Sequence, residues 1–177
     1  MHRLFVAIRL PAFIRARLLD LMGGVPGARW QSDDQLHLTL RFIGEVDAHI
    51  ADDIAAALLG VTHPTFGIAL DGAGHFGRGS RAGALWVGVA PQYPLAALHK
   101  KVDAACRRAG LPPEGRLYLP HITVARLGRT AGPVEPFLGV ASATTSAPFT
   151  VASFCLYESA LGASGATYEI VERYRLG

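Results

Sequence analysis

The chain has 177 residues, of which 50% are hydrophobic and 18% charged, with 17 basic residues against 14 acidic and a net charge of +3. That balance excludes an intrinsically disordered chain, and apolar runs such as residues 55–61 fall far short of the roughly 20 residues a membrane-spanning helix needs. Two cysteines, Cys106 and Cys155, are too few for a disulfide framework and are not spaced as a redox pair, so buried thiols in a cytoplasmic globular protein are expected.

Residues 3–11, RLFVAIRLP, predict a strand stopped by Pro11, followed by a helix in which Ile14, Leu18 and Leu21 recur at helical spacing until Gly23 and Gly24. RWQ and then residues 35–44, QLHLTLRFIG, come next. In the latter, apolar Leu36, Leu38, Leu40 and Phe42 alternate against polar His37, Thr39 and Arg41, the period of a strand with one face in a core. Asp47 reads as the N-cap of a second helix closed by Gly60. Two strand-like runs follow, joined by GRGSRAG at 77–83; its Arg78 and Arg81 could meet a nucleic-acid backbone, though a hairpin turn is the simpler reading. A third helix begins at Pro94 and ends at Gly110, with Arg107 and Arg108 where cations suit the helix dipole. LYLPHITVARLG at 117–128 is a further strand, residues 130–148 read as a loop, and APFTVASFCLYES and ATYEIVERYRL read as a closing hairpin. The total is about seven strands and three helices.

Residues 37–44, HLTLRFIG, superpose on residues 121–128, HITVARLG: His, Thr and Gly coincide at the first, third and eighth places, with aliphatic residues at the second, fourth and seventh. Repetition across about half the chain points to a duplication. Alternate residues of a strand share a face, so His37 and Thr39 project together, as do His121 and Thr123. Two such strands related by a pseudo-twofold axis would bring two imidazoles and two hydroxyls to one cleft.

Histidine titrates near neutrality, so one imidazole can take a proton while another gives one. Flanking a phosphodiester, the pair could activate water on one side and protonate the departing oxygen on the other. The threonine hydroxyls could donate to the phosphate oxygens as charge builds there. A single H-x-T in a strand carries almost no information; two in the same frame carry a good deal.

At these residues the chain resembles the two-histidine phosphoesterases, and within them the RNA 2',3'-cyclic phosphodiesterases, also called 2'-5' RNA ligases. The motif H-x-T-x occurs as His37, Leu38, Thr39, Leu40 and as His121, Ile122, Thr123, Val124, and the likeness extends through GALWVGV and LYESALGASGATYEIVERYRL. The resemblance implies an α+β fold of two pseudo-symmetric lobes within one domain, residues 1–177. Antiparallel sheets would line a central cleft with helices outside, and each lobe would supply one H-x-T-x strand. It implies hydrolysis of RNA 2',3'-cyclic phosphate ends to 2'-phosphomonoesters, and reversible ATP-independent 2'-5' joining, with no metal or other cofactor. It makes His37 the proton donor, His121 the proton acceptor and Arg126 a phosphate neighbour alongside Thr39 and Thr123. The expected partners are RNA with a cyclic phosphate end, tRNA fragments among them, or small cyclic nucleotides; no membrane is involved and a monomer is expected. A non-catalytic nucleotide- or RNA-binding module of the same fold remains the alternative, and a metallohydrolase a third.

The other histidines, His2, His49, His63, His75 and His99, lack ligand spacing. Trp30, Phe42 and Trp86 could stack a terminal base, although such residues more often fill core or cleft walls, and Trp86, inside an apolar run, reads as core.

Overall fold

In the computed structural model, which describes residues 1–77 and 83–177, the chain forms two antiparallel sheets with helices packed on them. Arg78 and Arg81 fall outside the described residues.

The first strand, β1 (His2–Arg9), is followed by α1 (Ala12–Leu21), a two-residue strand β2 (Arg29–Trp30), a 3-10 turn (Asp33–Gln35) and β3 (His37–Val46). Then come α2 (Ala48–Leu58), β4 (Phe66–Phe76), β5 (Gly83–Ala90), α3 (Tyr93–Arg108) and β6 (His121–Leu127). The chain closes with α4 (Glu135–Ala141), β7 (Phe149–Val151), β8 (Ser153–Gly162) and β9 (Gly165–Arg175). One sheet runs β3-β1-β8-β9, the other β2-β6-β5-β4-β7. Each carries one H-x-T-x strand, and β3 and β2, consecutive in the chain, are edge strands of different sheets. Among the described residues no helix is long and apolar enough to cross a membrane.

The core forms where one face of each sheet meets the helices. Ile14 and Leu18 of α1, Ile54 and Leu58 of α2, Leu95, Leu98 and Val102 of α3, and Phe137 of α4 pack with alternate residues of the strands. Asp47 caps α2, its carboxylate accepting from the Ile50 amide at 2.9 Å. Both cysteines are free and buried.

Three expectations need correction. The stretch 130–148 is not all loop: Glu135 and Pro136 open α4, and Phe137 and Ala141 bury against the core. Only seven residues long, α4 depends on that packing, which a propensity reading does not see. The run 147–159 is not one strand: β7 pairs with β4 and β8 with β1, so the chain changes sheets at Ala152.

The third correction concerns β3 itself. Strict alternation puts Phe42 in the core and Arg41 outside, and the structure does the reverse: Arg41 is 6% exposed and Phe42 is 49% exposed. The cause is a bulge at Leu40, since Val6 stands opposite Arg41 and Ala7 opposite Thr39. One extra residue switches the side chains that follow to the other face, here as far as a second irregularity at Ile43. Arg41 is received by Asp103 of α3 at 2.8 Å, the Pro112 carbonyl at 2.6 Å and the Phe42 carbonyl, with Glu114 at 3.7 Å. It is a buried tie between β3 and α3, not a cleft residue.

Candidate active site

His37 and His121 are the first residues of β3 and β6, and the same local device orients both. In each, Nδ1 donates to the carbonyl two residues earlier: Gln35 O for His37 and Leu119 O for His121, both at 2.7 Å. A neutral imidazole whose Nδ1 keeps its hydrogen presents an unprotonated Nε2, the atom able to take or return a proton. For His37 that nitrogen is 3.0 Å from Thr39 Oγ1, so the hydroxyl donates to it.

The carbonyl that holds His37 is itself fixed. Ser32 and Gln35 form a reciprocal capping box around the 3-10 turn. The Gln35 amide reaches the Ala166 carbonyl on β9 at 2.8 Å, and Arg15 holds Asp33 at 2.9 Å. On the other side Pro120, buried between Leu119 and His121, biases Leu119 toward the extended backbone that aims its carbonyl at the ring.

Bulges complete the parallel. In β6, Trp86 stands opposite Thr123 and Leu85 opposite Ala125, leaving Val124 as the extra residue, at the place Leu40 occupies in β3. Without it Arg126 would alternate into the core; with it Arg126 is exposed, on the face of His121 and Thr123. The carbonyls at the two bulges find partners outside the strands. Leu40 O accepts from His99 Nδ1 at 2.7 Å, and Val124 O accepts from the Gln31 amide at 2.9 Å. Next to the first bulge the Tyr118 hydroxyl donates to Thr39 O at 3.0 Å, and Tyr118 stacks on His99 at 4.1 Å.

Aromatic rings flank each histidine. His37 lies 4.9 Å from Phe5 and meets Tyr168 edge-on at 5.3 Å, ring centre to ring centre. Phe5 also stacks on Tyr157, which is 4% exposed with its hydroxyl lacking a partner. His121 lies 4.9 Å from Phe76, edge-on, and 6.2 Å from Trp86. Trp86 is therefore not core: it walls the cleft, pressed flat on Gly74, where an added Cβ would come within 2.3 Å of the indole. A hollow of about 610 Å³ is lined by Arg9, Gln35, Tyr157 and Tyr168 but not by His37 itself, and one of about 220 Å³ is lined by His121 with Trp86, Phe76 and Leu119.

Burial lowers both imidazole pKa values. His37 falls to about 4: burial is the main cause, the Gln35 carbonyl works against it, and the charges of Arg126, His121 and Arg9 push further down. His121 is lowered by burial, opposed by the Leu119 carbonyl, with Arg126 again adding to the fall. Arg126 and His121 lie near enough to weigh on the charge of His37, and the strands β3 and β6 that carry the three groups touch. Thr39 and Thr123 are half-buried on the same faces as their histidines.

The other predicted residues do not join them. Phe42 lies under the Arg3 guanidinium, 5.5 Å from the ring centre, and Trp30 packs on Phe137 at 5.7 Å. Among the described residues no three His, Cys, Asp or Glu side chains are grouped as a metal site requires. Sequence reasoning missed Phe5, Tyr157, Tyr168 and Phe76. The available signal was cross-strand position, which needs the pairing of β1, β8 and β9 and not their composition.

A Geobacillus stearothermophilus RNA 2',3'-cyclic phosphodiesterase is 29% identical over 79% of this chain, and the match spans only 45% of that relative's length. An Aeropyrum pernix protein of the same name is 36% identical over 63% of the chain and 65% of its own length. An Archaeoglobus fulgidus one is 29% identical over 94% of the chain and 96% of its own length. Among solved structures, Escherichia coli LigT complexed with 3'-AMP superposes with a TM-score of 0.80 at 28% identity, covering 99% of this chain and 98% of that one. The profile of the 2'-5' RNA ligase superfamily matches residues 16–163, which include both H-x-T-x strands, and the chain belongs to that superfamily.

Proposed function

We propose that this chain hydrolyses RNA 2',3'-cyclic phosphate ends to 2'-phosphomonoesters, with His37 and His121 as the acid and base and no metal in the reaction. The observation that carries the reading is the doubled orientation device: two imidazoles in the same tautomer, each fixed by a carbonyl at 2.7 Å, at the starts of two strands that touch across the two sheets. The names of the relatives agree with it.

The chemistry follows from the geometry. His121 Nε2 takes a proton from water as its oxygen bonds to phosphorus; the bond from phosphorus to O3' breaks, and His37 delivers a proton to that oxygen. Thr39, Thr123 and Arg126 hold the nonbridging oxygens, where positive charge and donors count most as the transition state forms. In the free protein burial keeps His37 neutral with the Thr39 hydroxyl on its Nε2. An incoming phosphate anion raises the pKa of a neighbouring imidazole. His37 can then carry the proton it must give, while Thr39 turns its hydrogen toward the phosphate. A 5'-hydroxyl in place of water would give reversible 2'-5' joining without ATP. A monomer in the cytoplasm fits this reading, and both cysteines are free thiols.

The test is incubation of the protein, in excess chelator, with a short RNA ending in a 2',3'-cyclic phosphate, and identification of the phosphate isomer formed. A 2'-phosphate that disappears in His37→Ala or His121→Ala is the expected result. Binding without turnover would instead assign a nucleotide-binding module.

A further inference from the structure

Arg29 and Arg126 stand directly opposite each other on β2 and β6. Directly opposed residues of an antiparallel pair share a face and have their Cβ atoms within about 5.5 Å. Arg126 faces the histidines, so Arg29 does too; its neighbour Trp30 takes the other face, against Phe137. Both arginines are exposed, and neither belongs to any ion pair found among the described residues. Like charges directly opposed weaken a sheet, and here one of the two sits on a two-residue edge strand.

Arg9 makes the contrast. It too stands opposite a site residue, His37, but it is engaged with Asp34, at 3.9 Å from the carboxylate and 3.5 Å from the carbonyl. Among the described residues Arg29 has no such partner, and β2 is the edge strand through which the chain passes from one sheet into the other. An arginine fork free of carboxylates suits a phosphate, and Arg126 is committed to the reacting one.

We propose that Arg29 binds the internucleotide phosphate on the 5' side of the terminal nucleoside, so that the site favours oligonucleotide ends over cyclic mononucleotides. The inference rests on the cyclic phosphodiesterase reading and names its substrate class. Successive phosphates of a single strand are close enough for two adjacent arginines to hold one each, and β2 leads through the 3-10 turn into the His37 strand, where the leaving ribose would sit.

The experiment compares kcat/KM on 2',3'-cyclic AMP, on ApA ending in a 2',3'-cyclic phosphate, and on that dinucleotide with a neutral methylphosphonate linkage. The wild type should prefer the charged dinucleotide, and Arg29→Ala should lower the dinucleotide-to-mononucleotide ratio about tenfold. The methylphosphonate should cost the wild type a similar factor and the variant little. In the wild type the salt dependence of dinucleotide binding should be steeper by about 0.7 in logarithmic slope than in Arg29→Ala, as one lost phosphate contact predicts for a single strand. Equal losses on both natural substrates, or none on either, would overturn the role of Arg29 while leaving the cyclic phosphodiesterase reading intact. No turnover of any substrate by the wild type would overturn that reading, and the inference with it.

Discussion

Strands β3 and β6 begin with the same three-residue pattern, hold their histidines through the same backward hydrogen bond and bulge at the same fourth residue. Beyond the bulge they part. The next position is buried Arg41 in one and buried Ala125 in the other, and the one after is Phe42 in one and Arg126 in the other. Equal backbones thus present unequal side chains: one strand spends its arginine on the core, the other on the cleft. Near-identical frames can hold chemically distinct acid and base partners because the differences begin just past the shared motif.

The largest test of that asymmetry removes the histidines. Either His37→Ala or His121→Ala should lower kcat/KM by about 10²- to 10⁴-fold on a cyclic phosphate with a ribose leaving oxygen. A phosphodiester with a nitrophenolate leaving group needs no proton on departure. On it His37→Ala should recover most of the wild-type rate while His121→Ala stays impaired. Recovery in His121→Ala instead would exchange the two roles.

The next test concerns the buried arginine. Arg41→Met removes one side of an ion pair with Asp103, which keeps a charge in partly buried surroundings, so a loss of about 3 kcal/mol is expected from denaturant unfolding at pH 7. Asp103→Asn on the same background should recover part of it. A change below about 0.5 kcal/mol would mean that the tie between β3 and α3 contributes little.

The doubled motif and its residue types were legible in the sequence, because two strands with one face in a core must alternate and both copies do so for four residues. What followed was not. The bulges at Leu40 and Val124 are set by pairing with β1 and β5, and by His99 and Gln31 supplying donors to their carbonyls, all distant in sequence. Missing the bulge exchanged Arg41 with Phe42. Trp86 misled in a similar way: its strand is apolar throughout, and only the bare backbone of Gly74 across the ladder lets the indole lie flat as a wall for His121. In β1, Leu4, Val6 and Ile8 face the main core and Phe5 and Ala7 the cleft side, a division that uniform hydrophobicity conceals.

The smallest expected effect is on titration. Arg126 pushes both imidazoles down, by itself less than burial does. Arg126→Gln removes a positive charge that opposes protonation, so both midpoints should rise, His37 from about 4 without regaining the ordinary 6.5. Two-dimensional NMR of the ring protons reads both directly. Phe42→Leu, at the corresponding place in β3, should leave both midpoints where they are, and a shift there would mean that the two strands are electrically more alike than their side chains suggest. Stability follows with a fixed sign. A histidine whose folded pKa is depressed binds its proton more readily unfolded, so its contribution is complete above about pH 6.5 and is lost as pH falls through the folded value. Raising that value in Arg126→Gln should shrink the loss of the urea midpoint between pH 7 and pH 4.5, and an unchanged loss would place the acid sensitivity in groups other than the two histidines.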